Sequence, residues 1–475
     1  MNGASGAYLS GAGGGDMEWL NTWTDRLWEP WLLGLFLFTG LWYSAATGFF
    51  QLFGLRRWLK ATLGKLLRPS GSRETGGLSQ TQALATALAS TIGTGSIAGV
   101  ATAIFYGGPG AVFWMWVSAL LGMMTSCAEK TLAVRYRERA PGGGWQGGPM
   151  CYMARGLGRR GMAALFSLCC VGASLAGGNL VQANSISTAL KASLGWDPLA
   201  VGLGVALACG AVILGGVGRI GRVSERLVPL MALLYLGGGA AVLLARASAV
   251  PAALAAIWEG AFSPRAALGY GMGAALRYGV ARGVFTNEAG MGSSAMAHAA
   301  ARVDDPAEEG MWGVFEVFVA TLLVCTVTAL VILTTGVYNP EEALSAIASG
   351  TVADAMLGAP LSAAAFSTVL GRWGGLLVAV CLLLFAFTSL VGWSYYGERG
   401  LAWLTGGSRG RTLYRPLFLG AIVLGSVGDL SAVWNLADLW TGLMALPNLL
   451  ALLLLTPEAL RLLRPWVSGR TARSP

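Results

Sequence analysis

The feature that most constrains this chain is a series of apolar runs, each long enough to cross about 30 Å of hydrocarbon. Eleven runs are present, near residues 29–54, 82–106, 111–134, 161–190, 199–217, 226–248, 270–300, 311–337, 374–397, 413–429 and 433–456. Charged residues make up only 12% of the chain and apolar residues 55%, so most of the surface does not need to face water. We therefore predict an all-α polytopic membrane protein of about eleven transmembrane helices in a lipid bilayer.

The basic residues predict the orientation of these helices. The loop after the first run is basic, with Arg56, Arg57, Lys60, Lys65, Arg68 and Arg73, whereas the arm before it holds Asp16, Glu18 and Asp25 against Arg26. By the positive-inside rule the N-terminus lies outside and the C-terminus in the cytoplasm. Residues 302–310 disagree because they are acidic, but acidic residues weigh little in this rule. The net charge of +9 thus reflects membrane topology and not nucleic-acid binding.

The runs also predict an internal repeat. Without the first run, five fall within residues 80–248 and five within 270–456. An odd number of helices in each half forces opposite orientations, which is the condition for an inverted repeat. The predicted organisation is an extracytoplasmic arm (1–28), an extra helix (29–54), two repeats (80–248 and 270–456) and a cytoplasmic tail (457–475).

The leading run of each half is interrupted by glycine and polar residues. The first contains STIGTGSIAG (Ser90–Gly99) and the second GVFTNEAGMGSSA (Gly283–Ala295). Paired interruptions of this kind predict a central binding site, because unwound backbone at that depth must line a cavity. Ordinary packing through small residues is the alternative. Asn287 and Glu288 favour the functional interpretation, since a carboxyl group in the membrane is costly.

The sequence argues against enzymatic chemistry. It has a single histidine and seven cysteines without metal-ligand spacing. GTGSIA matches a dinucleotide fingerprint but follows no strand, and GMGSS lacks a plausible histidine base. We predict no catalytic residues, no organic cofactor and no obligate protein partner.

Several longer motifs follow one another along the chain. They are GTGSIAGVATAI, GGPGAVFWMWVSALLG (Gly107–Gly122), GGPM (Gly147–Met150), GNLVQANSI (Gly178–Ile186), RGVFTNEAGMGSSAMAHAAA (Arg282–Ala301) and GWSYYGE (Gly392–Glu398). In this order they resemble the alanine or glycine:cation symporters, also called sodium:alanine symporters, over about residues 80–456. The family usually reads GTGN where this chain reads GTGS, with Ser96 in place of asparagine. A hydroxyl replaces an amide there, which bears on substrate preference.

The resemblance implies a five-plus-five inverted-repeat fold, shared with sodium:neurotransmitter symporters, after one extra helix. It also implies import of alanine, glycine or a similar small amino acid with Na⁺, and sometimes H⁺. By the same resemblance, the adjacent hydroxyls of Thr388 and Ser389, with carbonyls freed near Thr91 and Ile92, look like the commonest sodium site of the wider fold. Back-bonding of these hydroxyls within their own helix is the alternative.

The interrupted segments predict the amino-acid site. We expect backbone around Gly93, Thr94 and Gly95, with the Ser96 hydroxyl, to hold the substrate carboxylate. The carbonyls and polar side chains of the second interruption would take the ammonium group, and an aromatic ring would bound the side-chain space; these residues are Phe285, Thr286, Asn287 and Glu288.

Gln182 and Trp393 are also predicted to line the pocket, and Glu288 has two possible roles. Gln182 either lines the pocket or bonds a neighbouring helix, and Trp393 either closes the pocket or packs in the bundle. Glu288 either binds the ligand or pairs with a nearby arginine such as Arg282.

Two rival functions remain open for the whole protein. One is a proton-coupled carrier with Glu288 as the proton acceptor, and the other is a non-transporting amino-acid sensor.

Overall fold

The computed structural model describes residues 18–67, 77–139, 144–262, 272–353, 356–428 and 430–469. Part of the predicted arm (1–28) and of the predicted tail (457–475) therefore lies outside the described residues, as do Asp16, Arg68 and Arg73. Helices dominate the described part. Two short strands, β1 (Glu138–Arg139) and β2 (Trp145–Gln146), pair antiparallel.

The first predicted span ends earlier than expected. An amphipathic helix, α1 (Glu18–Leu27), precedes the apolar helix α2 (Pro30–Ala46). The sequence predicts a span to residue 54, but Gly48 and Phe49 take φ of 63° and 52°, and this left-handed turn ends the helix. Three short helices follow the turn: α3 (Phe50–Phe53), α4 (Leu55–Ala61) and α5 (Leu63–Leu67).

The first predicted repeat begins with two half helices. Its elements are α6 (Gln80–Thr91), α7 (Ala98–Gly107), α8 (Gly110–Arg135), α9 (Pro149–Cys151), α10 (Arg160–Leu175), α11 (Val181–Leu194), α12 (Pro198–Ile213) and α13 (Gly216–Ala245). A reciprocal capping box between Ser79 and Gln82 fixes the start of α6. A 3₁₀ turn at Thr94–Ser96 separates α6 from α7, and a π-turn at Ala176–Leu180 joins α10 to α11.

The second predicted repeat also begins with two half helices. After α14 (Val250–Phe262), its elements are α15 (Met272–Asn287), α16 (Ala295–Ala299), α17 (Pro306–Val317), α18 (Thr326–Thr334), α19 (Pro340–Ser349), α20 (Gly358–Leu370), α21 (Arg372–Thr405), α22 (Ser408–Val427) and α23 (Leu430–Leu454), followed by α24 (Thr456–Val467). A π-turn at Phe318–Cys325 joins α17 to α18. The segment 338–372, which the sequence suggests is a loop, contains α19 and α20.

Six helices within the described ranges are long and apolar enough to cross a membrane: Gly110–Arg135, Arg160–Lys191, Gly216–Ala245, Pro306–Thr334, Arg372–Thr405 and Val433–Leu454. Each coincides with a predicted run. The other five runs correspond to shorter or less apolar helices, or to interrupted pairs, because turns divide or shorten them. The multi-pass helical class is thus confirmed, and the count of eleven stays a prediction.

The two interrupted helices run in opposite directions. Leu78, just before α6, donates from its N–H to Ala300 at 2.9 Å, just after α16. At the other end, a Cβ placed on Gly107 in α7 would lie 3.2 Å from the carbonyl of Ala274 in α15. The start of one helix therefore lies beside the end of the other, and their interruptions meet halfway.

Candidate functional site

The first interruption begins where α6 ends. Ile92 has φ −84° and ψ 80°, and Gly93 is extended with φ −115° and ψ −156°. Helical bonding resumes only with the 3₁₀ turn at Thr94–Ser96. Main-chain groups released at this depth are tolerated where protein or a cavity satisfies them.

The second interruption is built from left-handed backbone. Glu288, Gly290 and Gly292 have φ of 54°, 91° and 79°. Two are glycines, which take this conformation without strain, but Glu288 is not. A non-glycine residue held there costs about 1–3 kcal/mol, and such residues cluster at functional sites. The Glu288 carboxylate accepts a hydrogen bond from the Ser293 hydroxyl across the turn, which fixes it in place.

A cavity lies between the two interruptions. Seven predicted residues line it: Thr91, Gly93, Gly95, Gln182, Phe285, Glu288 and Trp393. Four residues that the sequence analysis did not assign complete the lining: Ser90, Gly177, Met291 and Thr441.

Gln182 bonds within its own helix and touches the first interruption. Its Nε2 donates to the carbonyl of Gly177 at 3.1 Å, and its Oε1 lies 3.4 Å from the N–H of Thr94. The π-turn that contains Gly177 also brings Gly178 against the ring of Trp393, where no Cβ would fit. The structure thus brings Gln182 and Trp393 into the cavity wall together.

Four residues predicted for the amino-acid site lie beside the cavity and do not line it. Thr94 is fully buried, and its hydroxyl has no hydrogen-bond partner within the described part of the chain. Ser96 is also buried, and its carbonyl accepts from Thr328 at 2.9 Å.

The other two lie at the end of α15. The Thr286 hydroxyl bonds back to the carbonyl of Arg282 at 2.7 Å. The Asn287 Oδ1 accepts from the N–H of Ala289 at 3.0 Å, and its amide faces Gly122 of α8. The polar character of these two residues alone therefore did not predict the orientation of their side chains.

The structure does not show the alternative pairing of Glu288 with Arg282. Arg282 instead pairs with Asp438 of α23 at 3.2 Å, and both side chains are about seven-eighths buried. The guanidinium also lies 5.3 Å from the ring of Trp434, and that ring lies 5.8 Å from Phe285. Of these groups, the Phe285 ring lines the cavity, and the ion pair lies behind it.

The predicted cation ligands are only partly brought together. The Ser389 hydroxyl donates to the carbonyls of Ala89 and Ser90, at 3.1 and 3.3 Å. The Thr388 hydroxyl instead bonds the carbonyl of Phe385 in its own helix at 3.0 Å, which is the back-bonding alternative. Ser389 therefore contacts α6 two residues before Thr91 and Ile92, the positions that the sequence indicates.

The Thr91 hydroxyl faces a group that the sequence analysis did not assign. It donates to the buried carboxylate of Glu316 at 2.8 Å, and Glu316 pairs with Lys130 at 3.1 Å. The signal was present, since both charges lie inside apolar runs, where ionisable residues usually mark function.

The comparisons with known proteins identify the family of this chain. The family model described as the sodium:alanine symporter family matches residues 16–474. The sodium/alanine symporter AgcS of Methanococcus maripaludis is 40% identical over 441 residues, which are 92% of this chain and 94% of that protein. The probable sodium/glutamine symporter GlnT of Bacillus subtilis is 37% identical over 448 residues, 94% and 90% of the two chains.

A solved structure shows the same fold. A variant of the Eremococcus coleocola manganese transporter superposes with a TM-score of 0.52 at 16% identity, over 84% of this chain and 88% of that one. The family match spans nearly the whole chain and includes both interruptions and the cavity between them. The chain belongs to the sodium:alanine symporter family of membrane transporters.

Proposed function

We propose that the protein is a secondary active symporter that imports a small neutral amino acid, alanine or glycine, with Na⁺ by alternating access. The observation that carries this proposal is the buried cavity where two antiparallel helices are both interrupted. A zwitterion needs partners for two opposite charges, and two broken helices place the ends of their main-chain dipoles side by side.

The substrate carboxylate would lie against the first interruption. Gly93 and Gly95 line the cavity without side chains, so a ligand can approach the main chain between them. The buried Thr94 hydroxyl beside this segment has no partner among the residues that the structure describes. Ser96 lies behind the turn and would act by holding its shape.

The substrate ammonium group would lie against the second interruption. The carbonyls at the end of α15, at Thr286 and Asn287, carry the partial negative charge of a helix C-terminus. The Glu288 carboxyl group lines the same wall and can accept a hydrogen bond from the ammonium group. Gln182 provides a polar group on the opposite side.

The size of the cavity favours a small side chain. Phe285 and Trp393 bound it, and Phe285 is so close that a Cβ on Gly95 would lie 3.2 Å from its ring. One relative is named a probable glutamine symporter, so the family does not fix the substrate. We expect this chain to prefer alanine and glycine over glutamine.

The Na⁺ would lie between α6 and α21. Ser389 already contacts carbonyls at the end of α6, and the hydroxyl of Thr388 and the carbonyls of Thr91 and Ile92 complete the proposed oxygen ligands. Hard cations prefer such oxygen ligands. Binding there would join α21 to the first interruption, so that cation and amino-acid binding support each other.

The antiparallel course of the interrupted helices supports the inverted repeat, with halves at 80–248 and 270–456. We propose that the protein lies in the bacterial plasma membrane, with its arm (1–28) outside and its tail (457–475) in the cytoplasm. The Arg282–Asp438 pair would then close the outer end of the cavity.

Uptake into proteoliposomes tests the function. Purified protein is reconstituted, and uptake of radiolabelled alanine, glycine and glutamine is measured under an imposed Na⁺ gradient, an H⁺ gradient or neither. We expect Na⁺-driven accumulation of alanine and glycine above glutamine. Accumulation driven by H⁺ alone, and lost in Glu288→Gln, would favour the proton-coupled alternative. Binding without accumulation would favour a sensor.

A further inference from the structure

A second cluster of ionisable side chains lies behind the cavity. Its members are Lys130 on α8, His298 on α16, and Glu309 and Glu316 on α17, and all four are fully buried. Ionisable residues at this depth are expensive and usually functional. None of the four lines the amino-acid cavity, so substrate binding does not explain them.

His298 bridges two carboxylates. Its Nδ1 lies 2.7 Å from an oxygen of Glu309, and its Nε2 lies 3.2 Å from an oxygen of Glu316. A neutral imidazole has one donor and one acceptor, whereas an ionised carboxylate only accepts. A neutral histidine between two ionised carboxylates has only one N–H proton and can donate to only one of them. Both contacts are therefore hydrogen bonds only if the cluster holds one additional proton.

The surroundings of the carboxylates place this proton on the ring. Glu316 also accepts from the Thr91 hydroxyl at 2.8 Å and from the Lys130 ammonium at 3.1 Å. Glu309 accepts from the Gln80 amide at 3.1 Å. Both carboxylates therefore accept from donors outside the imidazole, and a proton on the ring leaves these bonds intact.

Counting the charges leads to the same result. Two carboxylates and one ammonium leave a net negative charge, which an imidazolium cancels. An uncompensated buried charge is strongly unfavourable, so the neutral cluster requires the extra proton.

Other charged groups near α16 have polar partners outside the cluster, although one oxygen of the buried Glu129 carboxyl group has none within the described residues. α16 packs against α6, α8, α21 and β2, and neither α6 nor β2 has a titratable side chain. On α8, Glu129 accepts from Asn448 at 2.6 Å. On α21, Glu398 pairs with Arg415 at 2.8 Å. Glu288, at the adjacent turn, faces the amino-acid cavity.

A chain of hydrogen bonds leads from this cluster to the surface. Gln80, which binds Glu309, also donates to Glu308 at 2.8 Å. Glu308 pairs with Lys65, and their side chains are 21% and 27% exposed, so the chain reaches solvent at the basic loop. His298 is thus buried but connected to one face of the protein.

We propose that His298 is a proton-binding site, separate from the amino-acid cavity, that is filled from the face carrying Lys65 and holds the half helix α16 against α17. Loss of the proton removes one of the two bonds that join His298 to α17 and leaves a net charge in the core. The proton site rests on geometry alone. Its effect on uptake rests on the proposed function, because α16 is half of an interrupted helix that would move in alternating access.

The single histidine of the chain makes a direct test practical. Protein purified through a tag without histidine is labelled with ¹⁵N-histidine, reconstituted in nanodiscs and studied by NMR as a function of pH. We expect one imidazole with both nitrogens protonated at about pH 7, where a free histidine is mostly neutral. A neutral ring there, with one protonated nitrogen, would overturn the proposal.

Two carboxylate variants sharpen the test. In Glu309→Gln the charge balance no longer needs the extra proton, so we expect a neutral ring with its proton on Nε2, facing Glu316. Glu225→Gln is the matched control, because Glu225 also binds the start of α6, through Thr81 at 3.0 Å and Gln82 at 3.1 Å, without touching His298. It should leave the imidazolium unchanged. A change in the control alone, or in neither variant, would contradict the assignment.

Uptake under a fixed Na⁺ gradient tests the effect on transport. Alkalinising the compartment that faces Lys65 should slow alanine uptake by the native protein and by Glu225→Gln, and should have little effect on Glu309→Gln. A flat native profile would refute the coupling of the proton to transport. If the native protein transports no amino acid at all, the proposed function fails while the NMR result still decides the proton site.

Discussion

Replacing Gly93 by alanine tests how closely the first interruption and the proposed cation site are joined. A Cβ at this position would lie 2.6 Å from the Ser389 Oγ and 3.4 Å from the Gln182 Oε1. The backbone there, with φ −115° and ψ −156°, is extended, so alanine adds no conformational strain. The effect of Gly93→Ala therefore arises from contact with Ser389.

The size of the effect follows from that contact. The Ser389 hydroxyl must turn away from the carbonyls of Ala89 and Ser90, which it now contacts at 3.1 and 3.3 Å. Overpacking of this kind costs about 1–3 kcal/mol. If that cost falls on the cation-bound state, the Na⁺ concentration for half-maximal uptake rises about 5- to 150-fold.

The assay is alanine uptake into proteoliposomes over a range of Na⁺ concentrations. Gly99→Ala is the matched control, because a Cβ on Gly99 of α7 meets nothing within 4 Å. It should leave the Na⁺ dependence unchanged and stabilise the helix by about 0.5–1 kcal/mol. An unchanged Na⁺ dependence in Gly93→Ala, or an equal loss in both variants, would refute the reasoning.

Three further predictions concern the walls of the cavity. Ser389→Ala should raise the Na⁺ concentration needed for half-maximal uptake about tenfold. Thr388→Ala should raise it less, because the Thr388 hydroxyl bonds its own helix. A Na⁺ titration of uptake by both variants checks this order. Arg282→Ala leaves the buried Asp438 carboxylate without this partner. Bound alanine should then dissociate several-fold faster in filter-binding experiments. An unchanged dissociation rate would contradict the proposed role of the pair in closing the cavity. Gly178→Ala should destabilise the protein by about 1–3 kcal/mol, because the new Cβ overlaps the Trp393 ring; an unchanged thermal unfolding temperature in detergent would be inconsistent with that packing.

The sequence predicted the interruptions because their signal is local. Glycines and polar residues within apolar runs break helices wherever they occur, and the structure breaks both helices within the predicted segments. The same local signal identified Gln182 and Trp393, which face the cavity from continuous helices where the side-chain face follows from spacing.

The errors came from contacts between distant parts of the chain and from unwound backbone. Arg282 pairs with Asp438, 156 positions away, and no local pattern points to that partner. Asn287 lies at the point where α15 ends, so helical spacing does not predict its direction. Gly177 and Thr441 line the cavity only because a π-turn and a neighbouring helix bring them there.

The buried ionisable cluster is a different kind of omission. Lys130 and Glu316 are charged residues within predicted spans, so the sequence already marked them as expensive and in need of a reason. What the sequence did not show is that His298 joins them, because the three residues come from three separate helices.

The central claim is that Na⁺ and a small amino acid bind cooperatively where the two interruptions meet. Equilibrium binding of radiolabelled alanine to purified protein, measured as Na⁺ replaces K⁺ at constant ionic strength, tests it most directly. We expect saturable binding that tightens with Na⁺ in the native protein and is lost in Gly95→Val, because a side chain there runs into the Phe285 ring. Alanine binding that is equal in Na⁺ and K⁺, or that survives Gly95→Val unchanged, would contradict the account.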